Sequence, residues 1–347
     1  MEKQTMAQND KTNRQLILAE RPVGEPTNKT LKLVEGDIPK AGDGQMLLRT
    51  VFLSLDPYMR GRMSDRPSYA PPVALGAVMV GGTVAQVVTS GAKGFSAGDF
   101  VLSFGGWQDY AISDGKGVTN LGKTPNHPSW ALGIMGMPGF TAWAGLTQIG
   151  TPKAGETLVV AAATGPVGAT VGQIGKIMGC HVVGVAGGAE KCAYAVNELG
   201  FDDCIDHKAS DFAVQLARAI PKGIDIYFEN VGGKVFDAVV PLLNANSRIP
   251  VCGLISQYNL TEPPAGPDRM SWLMGNVLRK KIKIQGFIIF DNFGLLYPEF
   301  AKQMEAWLKD GKIKYREEVI DGLENAPQAF IGLLKGENFG KRVIKIA

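Results

Sequence analysis

The chain has 347 residues, and its 36 Lys and Arg against 33 Asp and Glu give a formal net charge of +3 at pH 7. This length predicts two domains or one large one. Because the charge is nearly balanced and no basic block occurs, the composition argues against nucleic acid and anionic membrane surfaces as partners and favours small molecules.

The sequence predicts a cytoplasmic protein. Residues 1–15 are polar and lack the apolar core of a secretion signal, so we expect a short loose arm there. Two uncharged stretches, 124–152 and 157–175, are too broken by proline and glycine to be membrane spans. The cysteines lie in the second half without a C-x-x-C pair, which predicts reduced thiols rather than a disulfide scaffold or a zinc lobe. They are Cys180, Cys192, Cys204 and Cys252.

Residues 15–120 predict a mostly antiparallel β domain. This region consists of short, alternating apolar runs interrupted by Gly, Pro and Asp. The runs are QLILAE, LKLVEG, MLLRTVFLSL, VGGTVAQVVTS and FVLSFGGWQDYAIS.

A strand, a tight glycine turn and a helix are predicted between Thr157 and Gly179. The turn has small residues at Ala162, Gly165 and Gly168, a spacing that lets the backbone approach a dinucleotide pyrophosphate. Apolar residues then recur at helical spacing and give the helix one buried face. An ordinary strand-to-helix connection remains the alternative for the turn taken alone.

Strands and helices alternate after this turn. Strands are predicted at 181–186, near Cys204, at 224–228 and at 248–255, with helices at about 210–220 and 235–243 between them. This alternation predicts an α/β fold with a doubly wound parallel sheet.

The last segment is expected to return to the first domain. It holds a helix within 295–311, the stretch YREEVIDG at 315–322 and a final strand in KRVIKIA. The predicted domains are therefore 1–130, completed by 308–347, and an inserted coenzyme domain of residues 131–307. Such an insertion would leave a cleft between the two.

Several strings resemble one branch of the medium-chain dehydrogenase/reductase superfamily, that of leukotriene B4 12-hydroxydehydrogenase and prostaglandin 13-reductase. The resemblance covers nearly the whole chain. It implies a GroES-like β domain, a Rossmann domain and reduction of α,β-unsaturated ketones (enones). The strings are SLDPYMRGRM, AGGAEKC, FENVGG, CGLISQYN and LLKGENFGK.

The catalytic zinc of related alcohol dehydrogenases is not expected. Those enzymes need a Cys ligand and a Gly-His-Glu segment in the first domain, where this chain has Ala77 and Val78. No Cys precedes Cys180 and no His precedes His127, so thiolate and imidazole ligands are lacking there. The Tyr/Lys pair of short-chain enzymes is also absent, because no tyrosine is followed by Lys four residues later.

NADPH is the predicted cofactor. The strand at 181–186 runs into Gly187 and Gly188 without the carboxylate that binds the ribose diol of NAD. Lys191 offers a cation for a 2′-phosphate, with a solvated surface charge as its alternative. By resemblance, His207 stands where the family commonly has a tyrosine against this phosphate.

The remaining cofactor contacts follow from the resemblance. Asn230 could instead be a turn former, Asn338 a loop residue and Phe287 part of a core strand. The predicted cofactor residues are Gly165, Pro166, Val167, Gly168, Gly188, Lys191, His207, Asn230, Cys252, Gly253, Ile255, Ser256, Tyr258, Phe287, Ile288, Ile289 and Asn338.

We expect hydride transfer to the β-carbon of an enone and stabilisation of the resulting enolate by a phenol. Tyr258 is the first candidate and Tyr58, facing the cleft, the second; each could instead be a half-buried tyrosine with a satisfied hydroxyl. At most half of a set of apolar residues is expected to line the substrate pocket, the rest being core. The set is Met59, Met63, Tyr69, Trp107, Met137 and Trp272.

Two other functions remain open at this point. A quinone reductase would share a zinc-free NADPH site, and a non-catalytic NADPH-binding sensor would bind the coenzyme without turnover. By analogy with the family, a homodimer through the strand near 281–289 is expected.

Overall fold

The computed structural model describes residues 11–264 and 266–347. They form two compact units. The first comprises the described residues up to Leu132 with Val319–Lys335 and Arg342–Ala347, and the second comprises Gly133–Glu318 with Gly336–Lys341. This division differs from the predicted domains chiefly in giving residues 308–318 and 336–341 to the second unit.

The structure contains both strands and helices. The strands are β1 (Asn13–Leu18), β2 (Leu31–Gly36), β3 (Met46–Ser54), β4 (Thr83–Ser90), β5 (Phe100–Ser103), β6 (Tyr110–Ser113), β7 (Thr119–Gly122), β8 (Thr157–Ala161), β9 (His181–Ala186), β10 (Asp203–Asp206), β11 (Ile224–Phe228), β12 (Leu243–Val251), β13 (Lys283–Gly286), β14 (Glu317–Asp321) and β15 (Lys341–Lys345). The helices are α1 (Met59–Arg62), α2 (Met137–Ala144), α3 (Pro166–Ile177), α4 (Ala189–Asn197), α5 (Phe212–Ala219), α6 (Gly233–Val239), α7 (Met270–Lys280), α8 (Ile289–Phe293), α9 (Tyr297–Lys309) and α10 (Ala326–Leu334).

The first unit is built on antiparallel strands, as predicted. Its main sheet has the order β14-β15-β3-β4-β5-β7, with β6 also paired to β3, and β1 pairs with β2 in a separate ribbon. The final strand returns to this sheet, where Val343 stands opposite Ser54 in an antiparallel pair. The core of this unit joins residues from both ends of the chain. Its fully buried side chains include Leu18, Leu53, Met59, Trp107, Phe330 and Ile344.

The second unit contains the predicted parallel sheet, in the order β10-β9-β8-β11-β12-β13. The chain moves outward from β8 to β10 and then returns to the other side of β8 with β11. The reversal makes the carboxyl ends of β8 and β11 the switch point at which such sheets bind ligands. All five residues of β8 are buried, as expected for a strand in the middle of a parallel sheet.

Some boundaries differ from the prediction. The strand predicted to end at residue 255 stops at Val251, and the helix predicted to end at 243 ends at Val239, followed by a 3-10 turn. Residues 137–150, in an uncharged stretch, form α2 and a π-helical continuation packed inside the unit. Among the described residues, no helix has both the length and the apolar character needed to cross a bilayer.

Candidate coenzyme site

The ends of β8 and β11 bring the first two predicted motifs together. Val160 lies opposite Phe228 in the parallel register, so the glycine turn after Ala161 and the turn at Asn230 leave the same sheet edge. A side-chain hydrogen bond joins the two turns, because the Asn230 Nδ2 donates to the Ala161 carbonyl oxygen at 2.8 Å.

The glycine turn is tightly closed. Ala162 has a φ of 53°, and its carbonyl oxygen accepts the Gly165 N–H at 2.9 Å. Left-handed backbone at an L-residue costs about 1–2 kcal/mol. A Cβ on Gly168 would lie 2.2 Å from the Ala162 oxygen, whereas the nearest atom to a Cβ on Gly165 is that same oxygen, at 3.4 Å. Gly168 is therefore required by the fold, while Gly165 keeps space open at the start of α3.

The first turn of α3 is suited to an anion. Gly165 is the N-cap, Pro166 opens the helix, and no side chain in the described parts of the chain caps it. The backbone N–H groups of this turn, including those of Val167 and Gly168, and the helix dipole favour a pyrophosphate there.

A second glycine turn follows β9. Gly188 has a φ of 105°, and its N–H donates to the Asp206 Oδ1 at 2.9 Å. The same oxygen accepts the Lys208 N–H at 2.9 Å, and these hydrogen bonds help to hold the pKa of Asp206 below its usual range. This carboxylate is thus bonded to backbone N–H groups.

His207 and Lys208 lie against this turn. A Cβ on Gly187 would come within 3.0 Å of the His207 Nε2 and 3.2 Å of the Lys208 Cε. Burial lowers the pKa of His207, and nearby Lys234 lowers it further. The His207 Nδ1 is buried without a hydrogen-bond partner in the described residues.

Lys191 is not a freely solvated surface charge. Its ammonium donates to the Gly336 and Asn338 carbonyl oxygens, each at 2.7 Å. The Asn338 Nδ2 in turn donates to the Gly340 oxygen at 2.9 Å, so this amide stabilises its own loop. Lys191 therefore links the start of α4 to the loop that contains Asn338.

Glu229 is a buried residue that the sequence reasoning did not identify. Its Oε1 accepts the N–H groups of Val231 and Gly232 at 2.6 and 2.8 Å and the Tyr227 hydroxyl at 3.1 Å. Its Oε2 is buried without a hydrogen-bond partner in the described chain, and burial raises the pKa of this carboxyl. The only signal in the sequence was a glutamate directly after an apolar strand.

The loop at 252–258 is attached to the Asn230 turn. Cys252 and Gly253 both donate their N–H groups to the Glu229 carbonyl oxygen, and Ile255 donates to that of Asn230. The Ser256 hydroxyl donates to the Val231 carbonyl. Burial raises the pKa of Cys252 to about 12, so this thiol stays protonated at neutral pH.

Tyr258 folds back over the same loop. Its hydroxyl oxygen accepts the Leu254 N–H at 3.3 Å, and a Cβ on Gly253 would come within 2.9 Å of it. Gly253 therefore makes room for the phenol. This contact places the Tyr258 hydroxyl against the backbone that the resemblance assigns to the nicotinamide half.

Tyr58 belongs to the other unit and is half-buried at the start of α1, packed against the core of that unit. Burial raises the pKa of its phenol well above the ordinary value, and Asp56 raises it further. Its hydroxyl is therefore protonated at neutral pH.

The candidate pocket residues and the predicted cofactor residues at 287–289 have different surroundings. Met59, Met63 and Trp107 have no solvent exposure and belong to the core, whereas Tyr69 and Trp272 are 61% and 41% exposed. The strand β13 ends at Gly286, so Phe287 follows it rather than lying within it. Phe287 and Ile289 are buried, and Phe287 packs at right angles on Phe228. Ile288 is half-buried.

Two family descriptions match the chain: "N-terminal domain of oxidoreductase" over residues 14–121 and "Zinc-binding dehydrogenase" over residues 166–309. Within residues 11–264 and 266–347, no group of three or more His, Cys, Asp or Glu side chains is placed to hold a metal ion.

Relatives match over nearly the whole chain. The chain is 64% identical over 342 residues to the NADPH-dependent curcumin reductase of Escherichia coli strain K12, with 99% of each chain covered. It is 40% identical over 328 residues to prostaglandin reductase 1 of Bos taurus, covering 93% of this chain and 96% of that one. The crystal structure of CurA from Vibrio vulnificus in complex with NADPH has a TM-score of 0.94 at 64% identity, covering 96% of this chain and 99% of that one. The chain thus belongs to the medium-chain dehydrogenase/reductase family, with its GroES-like first domain and its Rossmann domain.

Proposed function

We propose that this protein is an NADPH-dependent reductase of the C=C bond of enones, with curcumin-like compounds among its substrates. The observation that carries the proposal is the 64% identity, over 99% of both chains, to a protein named for NADPH-dependent reduction of curcumin. Curcumin contains conjugated enones. The β-carbon of an enone is electrophilic enough to accept hydride without a metal ion to activate the substrate.

The chain's own groups fit the coenzyme. The open space at Gly165 and the uncapped first turn of α3 suit the pyrophosphate. The adenosine 2′-phosphate would be held by Gly188, Lys191 and His207. The nicotinamide half would lie along Asn230, the loop at 252–258, residues 287–289 and Asn338. When bound, NADPH supplies the hydride.

Tyr258 would stabilise the enolate oxygen that develops on the substrate. Because its phenol oxygen accepts the Leu254 N–H, the O–H is polarised for donation. A donor of this kind contributes about 2–4 kcal/mol to the transition state when water is excluded. Tyr58 is the second candidate for this role.

We also propose a zinc-independent, cytoplasmic homodimer. Zinc independence rests on the lack of a Cys before Cys180 and of a His before His127. The dimer would form through β13, which is the edge strand of the parallel sheet, at residues 281–289.

Turnover assays test the proposal directly. The purified protein would be mixed with NADPH and then with curcumin, a simple aliphatic enone or a quinone, and the NADPH absorbance followed, with NADH as control. Faster oxidation with the enones than with the quinone, and with NADPH rather than NADH, is expected. Quinone preference would favour a quinone oxidoreductase, and tight NADPH binding without turnover would favour a sensor.

A further inference from the structure

Residues 336–340, here called the 336–340 segment, belong with Lys341 to the coenzyme unit, although Lys335 and Arg342 belong to the other unit. Two backbone N–H groups anchor it. Phe339 donates to the Glu318 Oε2 at 3.1 Å, and Gly340 donates to the Thr164 carbonyl oxygen at 3.1 Å. Since Thr164 lies in the glycine turn, the segment is fastened directly to the predicted pyrophosphate site.

An aromatic clamp holds the same segment. The Arg316 guanidinium lies 4.0 Å from the centroid of the Phe339 ring, and the Tyr194 ring meets Phe339 edge-on at 4.9 Å. A Cβ on Gly340 would lie 2.4 Å from the Arg316 carbonyl oxygen, so only glycine fits this approach.

Lys191 supplies a further anchor, through its hydrogen bonds to the Gly336 and Asn338 carbonyl oxygens. Both acceptors are neutral carbonyl oxygens. Lys176, elsewhere in the same unit, instead donates to the Asp202 carboxylate at 2.7 Å.

We propose that Lys191 is a positioning residue for the 336–340 segment as well as a ligand of the 2′-phosphate. This inference rests on the proposed function in assigning the phosphate and Asn338 to the coenzyme site. When the 2′-phosphate fixes the ammonium, the ammonium fixes the carbonyl groups on both sides of Glu337, and Asn338 is held in place. NADPH should then exceed NADH in kcat as well as in affinity, because only NADPH has the 2′-phosphate that fixes Lys191.

The variant Lys191→Met separates the two roles, because NADH has no 2′-phosphate. With NADPH, we expect the KM for coenzyme to rise roughly 10- to 100-fold. With NADH, we expect little change in KM but a fall in kcat of about three- to tenfold, since the segment has lost an anchor. Lys191→Arg, which retains charged donors, should preserve the NADH kcat better than Lys191→Met does.

A second readout requires no turnover. In the protein without coenzyme, hydrogen exchange at the Phe339 and Gly340 amides should become about tenfold faster or more in Lys191→Met. Lys176→Met is the matched control, since it removes a lysine contact elsewhere in the same unit. It should change neither the exchange rates of the Phe339 and Gly340 amides nor the kcat with NADPH or with NADH.

The outcomes distinguish this inference from the proposed function. Unchanged amide exchange and an unchanged NADH kcat in Lys191→Met, with a raised KM for NADPH, would overturn the positioning role and leave the proposed function intact. Failure of the parent protein to reduce any enone would overturn the proposed function. Accelerated amide exchange in Lys191→Met would still support the role of Lys191 as an anchor of the 336–340 segment.

Discussion

A Cβ built on Gly168 would lie 2.2 Å from the Ala162 carbonyl oxygen, so the helix α3 and the turn before it can meet only at a glycine. Gly165, three residues earlier, has no such neighbour and would place a Cβ at an ordinary distance from the same oxygen. The two glycines of one motif therefore serve different purposes: one is needed for packing and the other for ligand approach.

The variants Gly168→Ala and Gly165→Ala should separate these purposes. Gly168→Ala should lower the free energy of unfolding by about 1–3 kcal/mol or more, because the backbone at Ala162 has to move away from the added methyl group. Gly165→Ala should keep the stability of the parent without coenzyme but bind NADPH more weakly, because its methyl group enters the space left for the pyrophosphate. Thermal unfolding and NADPH titration measure the two effects; equal stability losses in both variants would contradict the distinction.

Glu229 predicts a pH-dependent stability. Burial raises its folded-state pKa above the ordinary value for a glutamate, so the folded state keeps the proton to higher pH than the unfolded state does. The resulting stabilisation is complete below the unfolded pKa and is lost as pH rises through the folded pKa. Glu229→Gln retains an oxygen acceptor for the Val231 and Gly232 amides but cannot ionise, so its free energy of unfolding should vary less over this pH window.

Glu229→Ala provides the contrast to Glu229→Gln. It leaves two backbone N–H groups and the Tyr227 hydroxyl without their acceptor, which should cost roughly 1–3 kcal/mol for each group that stays buried and unpaired. Urea unfolding at several pH values compares the variants. Identical pH dependence in the parent and in Glu229→Gln would show that another group carries it.

Much of this site could be predicted because its signals are local in the sequence. The strand, glycine turn and helix from Thr157 to Gly179 occupy consecutive residues, and glycine spacing with helical periodicity is enough to identify them. The partners of Lys191 lie 145 and 147 residues further along the chain, and nothing near Lys191 indicates them. Glu229 is similar, since nothing local in the sequence indicates that a glutamate directly after an apolar strand will be buried.

His207 should couple NADPH binding to proton uptake. Burial lowers its pKa in the protein without coenzyme, so the imidazole is neutral at neutral pH. If the 2′-phosphate lies beside it, the phosphate charge raises this pKa, and NADPH binding takes up a proton in the window between the two pKa values. NADPH affinity should then increase as pH falls through that window, and NADH affinity should not.

Calorimetric titrations in two buffers of different ionisation enthalpy measure this uptake. His207→Gln cannot take up the proton and serves as the control. Equal proton uptake for NADPH in the parent and in His207→Gln would remove His207 from the phosphate site.

Tyr258→Phe and Tyr58→Phe test which phenol stabilises the enolate. Both substitutions delete one hydroxyl and keep the ring, so packing is largely retained. Loss of a donor worth about 2–4 kcal/mol in the transition state corresponds to a fall in kcat of roughly 30- to 1000-fold. We expect this fall in Tyr258→Phe, with NADPH affinity nearly unchanged, because the ring still packs over Gly253. A much smaller effect is expected for Tyr58→Phe, whose ring packs against the core of the first unit. Steady-state kinetics with one enone compares the two directly, and a large loss in Tyr58→Phe alone would transfer the role to that residue.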